Sequence, residues 1–191
     1  TVVGLLWVVA MLNYLDRLTI TTMHDSLKSD IAMTEAQFGL LTSVFLWVYA
    51  LVSPLGGFMA DRFSRTRVII GSLLVWSLMT WLTGMCHSVA QLVTVRALMG
   101  ISEACYIPAA LALISDYHRG PTRSLATGIH MSGIYAGAAL GGIGGSMAEH
   151  LGWRASFSVF GGVGIAYACV LLVLLRDAPK EETAEAAASE T

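Results

Sequence analysis

The stretch VVGLLWVVAMLNYLDRLTITTM, Val2–Met23, is an apolar run long enough to cross a bilayer, yet it holds an acid and a base side by side, Asp16 and Arg17. At about 1.5 Å rise per residue, ~20 residues of helix span the ~30 Å hydrocarbon core. Inside lipid only a helix satisfies its own backbone, because the run is too uniformly apolar for a barrel strand. A charge at mid-bilayer costs ~2.5–3.5 kcal/mol on insertion scales, so an ionisable pair there signals a role. The stretch does not read as a cleavable signal: it is too long, it carries that pair, and no small-residue cleavage pattern follows.

Working outward, five further runs share this character: 38–60, 68–86, 92–115, 125–148 and 153–175. Together with 2–23 they predict an all-α membrane protein with a six-helix transmembrane bundle over 1–175. The 176–191 segment, RDAPKEETAEAAASET, reads as a polar linker or disordered tail. Hydrophobic residues make up 55% of the chain and charged ones 13%, where a soluble domain carries about 25% charged residues. A net charge of −2 leaves no basic excess for nucleic acid. Cys86, Cys105 and Cys169 lie singly, without metal-ligand spacing, and read as small packing residues.

Sidedness follows the basic residues. Of eleven Lys and Arg, Arg62, Arg65, Arg67, Arg119, Arg123, Arg176 and Lys180 fall on one side, Lys28 and Arg154 on the other, and Arg17 and Arg96 inside spans. The positive-inside rule then puts the N-terminus and the 176–191 tail in the cytoplasm, in a plasma (inner) membrane. Short connections make spans three and four, and five and six, neighbours. On the outer side, TEAQFG predicts a capping box between Thr34 and Gln37 at the start of span two. Asp116 and His118, at the cytoplasmic end of span four, are expected to be solvated.

Within the first span, Asn13, Asp16, Arg17 and Ile20 share one helical face; in the fourth, Arg96, Gly100 and Glu103 share another. Each helix thus offers an acid and a base to a common interior. One reading is a static salt-bridge network, an inefficient glue because buried ion pairs add little net stability over apolar packing. The functional reading gives Arg17 and Arg96 an anionic substrate group, for which the guanidinium fork is suited, and gives Asp16 and Glu103 exchangeable protons. Asn13, Tyr14, Tyr106 and His130 are further candidates for the cavity wall. Gly133, Gly137 and Gly141 form a stripe read as close helix packing, with a cavity wall as the alternative. No enzyme motif such as HExxH, GxSxG or a phosphate-binding loop occurs, and no cofactor is expected. A channel would need a ring of like charges or carbonyls, which two acid and base pairs do not make.

The loop GFMADRFSRTR, Gly57–Arg67, resembles the signature between the second and third helices of the major facilitator superfamily. Gly57, Asp61, Arg62 and Arg67 match, while Ser64 stands where Gly is usual and Thr66 where a base is usual. Arg96, Gly100 and Ala104 resemble a second family motif, and NYLDR with Arg96 and Glu103 resembles both the anion:cation symporter and the spinster-like branches. The resemblance implies the N-terminal half of a twelve-helix alternating-access transporter. Its partners are an anionic small molecule, protons, the lipid bilayer and a C-terminal six-helix half, with no nucleic acid. It implies proton-coupled symport of a sugar acid or other carboxylate; the alternative is a carrier of lysolipid or another amphipathic lipid. It also implies a gating role for Gly57, Asp61, Arg62, Arg65 and Arg67, with a weakened latch where Ser64 and Thr66 depart from the pattern.

Overall fold

The computed structural model describes residues 1–118 and 120–179; Arg119 and the tail from Lys180 onward, used above to assign sidedness, lie outside the described residues. Every regular element among the described residues is a helix: α1 (Val2–Thr22), α2 (His24–Asp30), α3 (Glu35–Arg62), α4 (Arg65–Thr83), α5 (Val89–Glu103), α6 (Tyr106–Tyr117), α7 (Pro121–Leu140), α8 (Gly142–Leu151) and α9 (Trp153–Leu174). Five stretches are long and apolar enough to cross a membrane: α1, α3, α4, α5 taken with α6, and α9. The capping box is present, with Gln37 N–H donating to Thr34 Oγ1 at 3.2 Å and Thr34 N–H to Gln37 Oε1 at 2.9 Å.

Two expected spans are interrupted. The fourth breaks after Glu103, and the cause is Pro108: it has no N–H for the Ala104 carbonyl, and its ring crowds that carbonyl. The fifth is helical in two pieces, α7 and α8, divided at the Gly141–Gly142 pair, where Gly141 N–H bonds Ala138 O at 3.1 Å.

α1 packs most extensively on α7, α4 on α9, and α3 on α5. Glycines permit all three approaches. A Cβ on Gly133 or Gly137 would lie 2.5 Å from Trp7 O or 2.3 Å from Met11 O, so this stripe is a packing stripe. Gly161 stands in the same relation to Trp81 N at 2.5 Å. At the end of the bundle that carries α2, Arg154 donates to Asp30 Oδ2 (2.9 Å), Gly84 O (3.2 Å) and Cys86 O (2.5 Å), joining α2, the α4–α5 turn and α9.

Buried apolar residues form two clusters, one around Leu6, Trp76, Tyr106 and Leu171, the other around Ile20, Leu27, Leu92 and Trp153. Asn13, Asp16 and Thr80 fall between them along α1 and α4. The polar belt is thus sealed above and below by hydrocarbon. α3 stays largely uncovered, exposing Trp47, Leu51, Leu55 and Phe58.

Candidate functional site

α1 and α5 bring their charged faces together. Arg17 Nε and Asn13 Nδ2 both donate to Glu103 Oε2, each at 2.8 Å. Glu103 is fully buried and Arg96 nearly so, at 2% exposure. Three polar atoms of this group lack hydrogen-bond partners among the described residues: Arg17 Nη2, Arg96 Nε and Glu103 Oε1. Most buried donors and acceptors are paired, so each such atom calls for an explanation. Thr66, Trp76, Ser77 and His130 also carry unpaired side-chain atoms, but among the described residues only this trio gathers around a buried ion pair.

α3 supplies an aromatic seat whose central ring, Phe45, sequence reasoning did not assign. Phe45 has the Arg17 guanidinium 5.1 Å and the Arg96 guanidinium 4.8 Å from its ring centre; Tyr49 lies 4.5 Å and Tyr14 5.8 Å from Arg17. Two like charges thus lie against one ring, each an attraction worth about 2 kcal/mol when desolvated. Gly100 makes this possible: a Cβ there would stand 2.8 Å from Phe45 O, so only glycine lets α3 come so close to α5. The spacing of Phe45 and Tyr49, one helical turn apart, was the available signal.

The other candidates lie elsewhere in the bundle. Asp16 is buried but does not join the Glu103 network; its Oδ2 accepts from Thr80 Oγ1 of α4 at 3.3 Å. The Tyr106 hydroxyl is committed to Leu6 O at 2.9 Å, with its ring between Trp76 and His130 at 5.5 and 6.0 Å. Tyr106 and His130 are therefore packed into the apolar interior rather than against Arg17 and Arg96.

At the α3–α4 loop, Asp61, Arg62, Arg65, Asp116 and Asp177 line a cavity of about 590 Å³. Asp116 is not merely solvated: Arg65 pairs with it and also donates to Ala112 O at 2.9 Å. Gly57 faces open space. Ser64 caps α4 by accepting Arg67 N–H at 3.2 Å, and its hydroxyl bonds Asp177 Oδ2 at 2.5 Å, while Thr66 N–H bonds Asp177 Oδ1 at 2.9 Å. Burial works against the Asp177 charge, but these hydrogen bonds and nearby Arg65 outweigh it and hold the carboxyl below its ordinary range. The two positions that depart from the family pattern are thus engaged with Asp177, in the segment read above as tail.

The sequence is similar to the probable sulfoacetate transporter SauU of Cupriavidus necator, 30% identical over 95% of this chain and 43% of that protein. It is also similar to protein spinster of Drosophila melanogaster, 33% identical over 92% of this chain and 29% of that one. A third relative is the probable galactarate/D-glucarate transporter GudP of Escherichia coli, 28% identical over 92% and 41%. The fold matches the crystal structure of a bacterial homolog of the human lysosomal transporter spinster, in an inward-facing and occupied conformation. That match has a TM-score of 0.83 at 28% identity, over 94% of this chain and 44% of that one. The chain thus spans less than half the length of the relatives it matches. The family model of the Major Facilitator Superfamily matches residues 6–191. With apolar helices of membrane-crossing length and a charged belt between α1 and α5, this integral membrane chain belongs to the major facilitator superfamily.

Proposed function

We propose that this chain is the N-terminal half of a secondary active transporter that takes up an organic anion together with protons by alternating access. The observation that carries the reading is the trio of unpartnered buried atoms, Arg17 Nη2, Arg96 Nε and Glu103 Oε1, gathered on two helices. Two guanidinium N–H groups with no acceptor suit a carboxylate, sulfonate or phosphate. A carboxyl already holding one of those guanidiniums supplies the coupling. While Glu103 is ionised it pairs with Arg17; protonation removes that pairing and releases Arg17 to an anionic substrate. Proton and substrate then favour each other's binding, and the linkage is reciprocal. On this reading Asp16 is the second proton holder, Asn13 orients Glu103, and the Asp61 loop gates the cytoplasmic mouth in a plasma membrane with both described ends inside.

The named relatives SauU and GudP support a small anionic substrate. The likeness to the spinster homolog favours a second reading, a carrier of an amphipathic lipid whose anionic headgroup meets the same arginines. Uptake of D-glucarate, sulfoacetate and lysophospholipids into proteoliposomes carrying the full-length protein, with and without an inward proton gradient, separates the two. Gradient-driven accumulation of the carboxylate or sulfonate supports the first reading; accumulation of lysolipid alone supports the second, and neither overturns both.

A further inference from the structure

The two buried carboxyls have different surroundings, and what holds Asp16 is a hydroxyl from the far end of α4, well removed from the Arg65 and Arg67 of its first turn. Hydroxyls within membrane helices ordinarily bond back to the carbonyl four residues earlier. Thr19, Thr83 and Thr94 do so, to Leu15, Met79 and Ala90, at 2.8, 2.8 and 2.9 Å. Thr80, 1% exposed, instead reaches across to α1 and donates to Asp16 Oδ2 at 3.3 Å. One turn earlier, the Trp76 indole N–H faces the same carboxyl without closing a hydrogen bond to it. α4 is not free to drift from this position, because Gly161 and Gly164 of α9 close directly on Ser77 and Trp81.

We propose that Thr80 is a positioning residue for the Asp16 carboxyl, fixing it against α4 and apart from Glu103. The inference rests on the reading of Asp16 as a proton holder. The groups facing Asp16 are Glu103 and Arg96 from α5, and Thr80 and Trp76 from α4, with Arg17 beside it in sequence. α7 and α6 bring His130 and Tyr106 to Leu6, and α9 brings Tyr167 to Leu5 O, ten or more residues away, or about 15 Å along the helix. α8 presents only Gly144 and Gly145 to Thr19 and Thr22. Among the described residues, Thr80 is the neutral group whose hydrogen bond to the carboxyl closes, at 3.3 Å, and such a bond favours the ionised form.

The test is an infrared titration of carboxyl bands in the purified full-length protein, with the Asp16 band identified by its loss in Asp16→Asn. Thr80→Val, which keeps the shape and removes the donor, should move the midpoint of that band up by about one pH unit. Thr80→Ser should leave it in place, and Thr80→Ala should repeat the valine result should Val perturb folding. A wild-type midpoint in both Thr80→Val and Thr80→Ala overturns the proposal, as does the absence of any titrating band lost in Asp16→Asn. The titration needs no substrate, so failure of proton-coupled uptake in the proteoliposome assay sinks the transport reading and leaves this result standing.

Discussion

Arg17 and Glu103 meet through Nε and Oε2 at 2.8 Å, and each keeps one further polar atom unpartnered among the described residues.

Glu103→Gln removes the exchangeable proton and keeps an acceptor for Asn13 and Arg17. Counterflow of substrate should persist while accumulation driven by a proton gradient falls to background. Concentrative uptake at wild-type level by this variant would show that the proton is carried elsewhere.

Arg96→Ala strips one guanidinium from a desolvated site. Losing one member of a buried charge contact costs about 2–5 kcal/mol, so substrate binding by titration calorimetry should weaken at least tenfold at unchanged expression. Unaltered affinity would make Arg96 a packing residue stacked on Phe45.

Gly100→Ala should impair transport far more than Gly71→Ala. The first places a methyl group 2.8 Å from Phe45 O, whereas the second meets nothing within 4 Å. Displacing α3 unseats Phe45 and Tyr49 from both arginines, so the loss should show chiefly as weaker binding. Equal behaviour of the two variants in uptake assays would contradict the aromatic seat.

Asp61→Asn tests the gate. Asp61 makes no ion pair among the described residues, unlike Arg65 with Asp116; its partner is expected from the other half of the transporter. The substitution should slow transport and raise cysteine labelling of cytoplasm-facing positions, shifting populations only by the energy of that contact. Lost transport with unchanged labelling would reassign Asp61 to folding or topology.

Asp177→Asn weakens the second cap on α4, a change of about 1 kcal/mol or less at this partly exposed site. Because the folded Asp177 carboxyl lies below its ordinary value, its contribution is present above about pH 4 and disappears as pH falls through the lower folded value. The thermal midpoint of wild type and variant should therefore differ at pH 7 and converge in acid.

Much of this was written into local spacing. Asn13, Arg17 and Glu103 were placed on interior faces by the 3.6-residue period alone, and the Thr34–Gln37 box and the Gly133–Gly137 stripe were equally local. The break after Glu103 was also present in the sequence, as Pro108, but the uninterrupted apolar run around it masked the signal. Thr80 and Phe45 escaped notice for another reason. A threonine or phenylalanine in a membrane helix is ordinary until a neighbouring helix brings a carboxylate or two guanidiniums against it, and that neighbour is set by glycines more than twenty residues away. Likewise Ser64 and Thr66 looked like a weakened signature until Asp177 came back to meet them.

The Arg154 clasp on Asp30, Gly84 O and Cys86 O has a mechanical consequence. Helices pinned together at one end cannot shear past one another there, so any tilt of α4 about this clasp would carry α9 with it. Over the ~30 Å of a membrane, a tilt of about 10° at such a pivot sweeps the opposite end through about 5 Å. A small rotation at the pinned end is thereby a large displacement at the end that carries Arg65 and Asp177.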